Sequence, residues 1–163
     1  MESYPNLEVQ LLARIFAAPL DQTLLEQIPE LFPELELPPD PLWSLAIEFS
    51  RLFVGPGPGL APPYASYYLE QRNYGEAYSQ LALWFEQAGV SSPTGLPYDH
   101  LAAELALLAF YLEKGQDTQA LVAHLSDWIP GFINQLRETA AHKFYSQLAQ
   151  ITRDLVLAAD RKP

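Results

Sequence analysis

The sequence predicts an all-α fold, a single-domain bundle of about seven to nine helices over residues 1–163. Three observations carry that expectation. Apolar residues recur at three- and four-residue steps in one segment after another, the spacing that lines one face of a helix. No segment alternates apolar and polar residues with the two-residue period of a half-buried strand, and no internal repeat is present. At 163 residues and 49% hydrophobic content, the chain has the size and apolar payload of one core.

Leu7, Leu11, Leu12, Ile15 and Phe16 draw the first helical stripe, with Asn6 as its expected cap and Pro19 as its stop. Asp21 caps a shorter helix through Leu24, Leu25, Ile28 and Leu31, expected to end at Pro29 and Pro33. The four prolines of residues 33–41, PELELPPDP, fix φ and lack N–H groups, so this piece connects helices rather than domains. Asp40 followed by Pro41 is a helix start, and Leu42, Leu45, Ala46, Phe49, Leu52 and Phe53 run in one stripe down to Val54.

Residues 48–69, EFSRLFVGPGPGLAPPYASYYL, are the most unusual stretch: a helical pattern enters a loop of Gly and Pro and re-emerges as aromatics. The stretch is stiff, apolar at both ends and poor in catalytic side chains, which suits a recognition loop. Beyond it, Asn73 and Glu76 have capping-box spacing ahead of Ala77, Leu81, Trp84 and Phe85, and Gly89 ends that helix. Ser91 to Pro97 form a turn-rich connection. Asp99 then precedes HLAAELALLAFYLEKG, apolar on nearly every side and therefore the central buried helix. Gly115 closes it. Asp117 or Thr118 starts a helix through Leu121, Val122 and Leu125, expected to close at Trp128, Ile129 and Pro130, after which Phe132, Ile133 and Leu136 resume helical spacing. Phe144, Leu148, Ile151, Leu155 and Val156 make the last stripe, and Asp160 to Pro163 are expected to fray.

Composition narrows function. A formal charge of -11 argues against nucleic acid, whose affinity rests on Lys and Arg, and favours basic partners through the field of the whole chain. The absence of Cys removes disulfides, thiolate catalysis and thiolate metal sites. MESYPNLEVQ has no basic start leading into an apolar run, and no window approaches a membrane span, so a cytoplasmic protein without membrane insertion is expected.

Chemistry-bearing motifs are weak. Gly55, Gly57 and Gly59 alternate with Pro56 and Pro58, which lack the N–H donors of a phosphate cradle, and no Lys follows. His100 and Glu104 share a helix face, with Asp99 at its start; these three residues carry the alternative reading, a small metal- or nucleotide-dependent helical enzyme. Ser66 has no nucleophile elbow around it. No catalytic residue, cofactor or metal ligand is therefore assigned. Pro62, Pro63, Tyr64, Tyr67 and Tyr68 instead offer rigid amphipathic surface for a peptide, with Asp99 and Glu104 for negative charge, although the same aromatics suit a core equally well.

Arg51-Leu52-Phe53-x-Gly55-Pro56, then Ala61-Pro62-Pro63-Tyr64-x-Ser66 and Tyr68-Leu69, resemble the signature of the TorD/DmsD family of cytoplasmic redox-enzyme maturation chaperones. Tyr98-Asp99-His100-Leu101 with Glu104-Leu105 and His124-Leu125-x-x-Trp128-x-Pro130-x-Phe132 are similar to two further segments, in matching order across residues 42–157. The resemblance implies an all-helical, non-enzymatic protein, monomeric or a helix-swapped dimer. It implies binding to the twin-arginine signal peptide and apo form of a molybdenum-cofactor oxidoreductase, aid in cofactor loading, and prevention of premature export. It also implies that Leu52, Phe53, Pro62, Pro63, Tyr64, Tyr68, Asp99 and His100 line the peptide groove. Tyr64 and Tyr68 stand where some relatives carry Trp. Chemically, Asp99 suits an arginine fork, and Glu104 adds acidity one turn on.

Overall fold

The computed structural model of the chain describes residues 5–71 and 75–160, and among these it contains eight α-helices and no strand. They are α1 (Pro5–Ala17), α2 (Gln22–Leu31), α3 (Pro41–Phe49), α4 (Ala65–Glu70), α5 (Glu76–Ala88), α6 (Leu101–Lys114), α7 (Gln119–Thr139) and α8 (Lys143–Ala158). A π-helical turn, Ser50–Val54, continues α3, and a 3-10 turn, Pro93–Gly95, precedes α6. The expected single all-α bundle is the observed architecture.

α6 is the axis. From Leu101 to Ala109 every residue except Ala106 is buried, as all-round apolarity requires of a helix with neighbours on each side. α1 lies along it, α8 pairs with α7, and α4 rests on α7. At the centre Phe53 meets Phe49 and Tyr145 at ring separations of 5.1 Å, Phe132 at 6.0 Å and Phe16 at 6.1 Å, mostly edge-on. Rings from α1, α3, the π-helical turn, α7 and α8 thus form one hub.

Several helix boundaries differ from those expected. Asn6 lies inside α1, which starts at Pro5, so it does not cap it. Pro29 lies within the last turn of α2 rather than ending it; the Asp21 carboxylate caps that helix by accepting from Leu24 N at 2.8 Å, and the buried Ile28 holds its face to the core. Asp40 does occupy the N-cap of α3, but in a left-handed conformation, φ 50°, with its carboxylate making no cap bond. Ser44 Oγ instead donates to Pro39 O at 2.7 Å. The Asn73 capping box falls outside the described residues. α5 is served by Glu70, whose Oε1 accepts from Ala77 N at 3.0 Å.

The largest difference is at Pro130. It sits inside α7, a continuous helix of 21 residues, rather than closing one. A proline forfeits one ladder bond, but Leu121, Leu125, Trp128, Phe132 and Leu136 stay buried on one face through it, and that packing outweighs the loss. Among the described residues no helix is long and apolar enough to cross a membrane. Fraying of residues 161–163 lies outside the description.

Candidate functional site

The Gly-Pro loop is pinned to the helix that feeds it. Leu60 N donates to Arg51 O at 3.2 Å and Ala61 N to Leu52 O at 2.8 Å. Gly59, at φ +86°, approaches so closely that a Cβ would lie 2.4 Å from Leu52 O; only glycine fits.

The chain then crosses the entry to α6. Tyr64 and His100 form an isolated antiparallel bridge, with Ala65 N donating to Asp99 O at 3.0 Å and Leu101 N to Pro63 O at 2.8 Å. Ser66 N donates to the Asp99 carboxylate at 3.0 Å. The Tyr64 ring stands edge-on to His100 at 5.1 Å. The two segments that the sequence nominates separately therefore meet. Between them lies a cavity of about 190 Å³ lined by Phe53, Val54, Gly57, Pro58, Tyr64, Pro97 and Asp99. That volume falls below the roughly 300 Å³ of the smallest ordinary small-molecule sites and suits a side chain rather than a nucleotide.

His100, not Asp99, caps α6: its Nδ1 accepts from Ala102 N at 3.0 Å. Burial lowers its pKa to about 4, so the ring is neutral with its proton on Nε2. Glu104, fully buried, turns toward α7. Its Oε1 lies 2.5 Å from His124 Nε2 and accepts from Trp128 Nε1 at 3.3 Å, while Oε2 has no hydrogen-bond partner among the described residues. Burial pushes its pKa up to about 7, against the pull of His124 and Trp128. Burial lowers the His124 pKa, but the Glu104 carboxylate, with Asp127 and Asp99, outweighs it and the net shift is upward.

Asp99, His100 and Glu104 thus face different partners, and no group of three potential metal ligands occurs among the described residues. The alternative needs these three side chains to converge on one centre, and Ser66, Ala102 and His124 engage them separately. Glu104 is correspondingly no part of a surface. Leu52, Pro62 and Pro63 are also buried, and Phe53 contributes one cavity wall from within the hub, so these four do not form an open apolar groove. Tyr68 is half-buried, stacked on Trp128 at 5.8 Å over Gly131, where a Cβ would come within 3.2 Å of the Tyr68 ring. Burial raises its phenol well above the ordinary range. Tyr67 remains partly exposed beside it.

Arg51 anchors the start of the loop. It pairs with the buried Glu48 and donates to Thr139 O at 2.8 Å, while Glu48 Oε2 accepts from Ala141 N at 3.1 Å and His142 N at 3.2 Å. This latch ties the start of the loop to the α7–α8 turn. Sequence reasoning missed Val54, Gly57, Pro58 and Pro97 as cavity walls; only their Gly-Pro context hinted at a concave turn.

Comparison with known proteins gives a consistent picture. Residues 16–134 match the family model described as nitrate reductase delta subunit. The chain is 32% identical over 117 residues to the Tat proofreading chaperone DmsD of Salmonella typhi, covering 68% of this chain and 57% of that protein. It is 31% identical over 125 residues to the chaperone protein TorD of Shewanella piezotolerans, covering 68% and 58% respectively. The chain thus spans somewhat more than half the length of the curated relatives it matches. A crystal structure from Archaeoglobus fulgidus, described as a redox enzyme maturation protein, superposes with a TM-score of 0.73 over 96% of each chain at 21% identity, a likeness of fold. The relatives bear the names of chaperones, not of enzymes. The chain belongs to the nitrate reductase delta subunit family, which includes the TorD and DmsD chaperones.

Proposed function

We propose that this protein is a cytoplasmic chaperone that binds the twin-arginine signal peptide of a molybdenum-cofactor oxidoreductase apoenzyme, assists its cofactor loading and holds it back from export. The observation that carries the reading is Asp99 at the wall of a small cavity that it lines with Phe53, Val54 and Tyr64. Ser66 N donates to one carboxylate oxygen and fixes the side chain in place, and a carboxylate is the group that pairs with a guanidinium fork. Tyr64, held edge-on by His100, supplies an aromatic wall for the planar group. Tyr68 and His100 act from behind, setting the position of α4 and the start of α6. The charge of -11 draws a basic peptide toward the protein.

Calorimetry with a twin-arginine signal peptide and its twin-lysine counterpart tests the reading. Binding of the first, weakened by lysine substitution because the bidentate fork is lost, is the expected result. Absence of binding to twin-arginine signals across a panel of oxidoreductase clients overturns it.

A further inference from the structure

The residues that the sequence nominates for an apolar peptide segment are mostly buried, but the structure exposes another set beside the cavity. Trp43 is 68% exposed, Ile47 52%, Val54 61% and Leu60 44%. Trp43 and Ile47 are four apart on α3, and Val54 follows seven residues later at the end of the π-helical turn, so the three share the outward side of one continuous rod. Leu60 is fastened beside them by its bond to Arg51 O. At about 1.5 Å per residue, the stripe runs roughly 16 Å from Trp43 to Val54. Val54 also walls the Asp99 cavity, so the stripe ends at its mouth.

Scattered exposed apolar side chains need no explanation, but a row led by a largely exposed tryptophan and continuous with a cavity lined by Asp99 marks a docking surface. Its occupant must match both ends. A second copy of this chain, itself at -11, would bring like charge to the acidic end. A signal peptide carries basic residues first and an apolar run immediately after them, the same order in which cavity and stripe are laid out.

We propose that the face formed by Trp43, Ile47, Val54 and Leu60 receives the apolar run of the peptide, which extends from the Asp99 cavity toward Trp43. This rests on the function proposed above. Two synthetic peptides separate the two claims: a long one with the arginine pair and its apolar run, and a short one in which the run is replaced by Gly and Ser. The unaltered protein should bind the long peptide more tightly, with a blue shift of Trp43 emission that is absent from Trp43→Phe. The exposed-site double variant Trp43→Ala/Ile47→Ala, checked for an unchanged circular dichroism spectrum, should lose on the order of tenfold in affinity for the long peptide and nothing for the short one. Equal long-peptide affinity in both proteins overturns the surface and leaves the proposed function standing. Failure of the unaltered protein to bind either peptide overturns both. A dimer in sedimentation that Trp43→Ala dissolves assigns the face to a second copy and overturns the proposal.

Discussion

Ser66 N donates to Asp99 Oδ2 at 3.0 Å across 33 residues of sequence, and Ser66 is completely buried. The carboxylate thus has a structural duty in addition to the ligand role proposed for it. Removing it leaves a buried N–H without a partner, at a cost of about 1–3 kcal/mol. Asp99→Ala should therefore lower stability in urea unfolding and confuse any binding measurement. Asp99→Asn keeps an acceptor and discards the charge. It should hold most of the stability while weakening a twin-arginine peptide by about 1–3 kcal/mol, read by calorimetry. Unchanged affinity in Asp99→Asn would refute the assigned site.

Glu48 satisfies Arg51 and two backbone N–H groups of the α7–α8 turn from a nearly inaccessible position. Glu48→Ala strands those donors and should cost about 2–4 kcal/mol in chemical denaturation. Arg51→Ala, whose side chain is 38% exposed, should cost clearly less. Equal effects would mean that the ion pair, not the backbone bonds, is what Glu48 contributes.

Gly57 and Gly59 both have positive φ, yet only one is crowded. A Cβ on Gly57 meets nothing within 4 Å, whereas on Gly59 it collides with Leu52 O. Gly57→Ala should cost only the backbone penalty, about 1–2 kcal/mol. Gly59→Ala must displace the pinned strand of the loop and should lower Tm further, with loss of peptide binding. The ordering of the two Tm values is the check.

Two buried groups impose opposite pH slopes. His100 stays neutral down to about 4 in the fold but protonates near 6.5 when unfolded, so between those values the unfolded chain binds more protons and stability rises with pH. Glu104 keeps its proton up to about 7 in the fold against 4.5 unfolded, so over that window the folded chain binds more and stability falls as pH rises. His124, with its net upward shift, adds to the fall above 6.5. Between about 4.5 and 6.5 the two main slopes oppose each other in the unaltered protein. His100→Asn retains a capping acceptor and should reveal a Tm that declines from pH 4.5 to 7. Glu104→Gln should reveal one that climbs from pH 4 to 6.5. Identical pH profiles in all three proteins would contradict this account.

The helices were legible because burial follows their period, and the exceptions have physical causes. Pro130 reads as a stop only when taken alone; the stripe Leu125, Trp128, Ile129, Phe132, Ile133 crosses it without losing phase, and that continuity decides the matter. The meeting of Tyr64 with Asp99 and His100 was legible as a requirement of the proposed site. Which apolar loop residues face inward was not. Phe53 is claimed by Phe16, Phe49, Phe132 and Tyr145, which come from elements far apart in sequence. Conversely, Trp43 and Ile47 were the apolar residues of α3 left off the stripe drawn through Leu42, Leu45, Ala46 and Phe49, and that omission was itself the signal of their exposure.

The Glu48–Arg51 latch also sets an order of events during synthesis. Its backbone partners, Thr139, Ala141 and His142, lie some 90 residues downstream, at separations of 88, 93 and 94. Until the ribosome has released that turn, the start of the Gly-Pro loop lacks its anchor, even though Asp99 and α6 have already been made. The loop's start is therefore tied to this turn only after α7 and the first residues beyond it have been made, later in synthesis than Asp99 and α6.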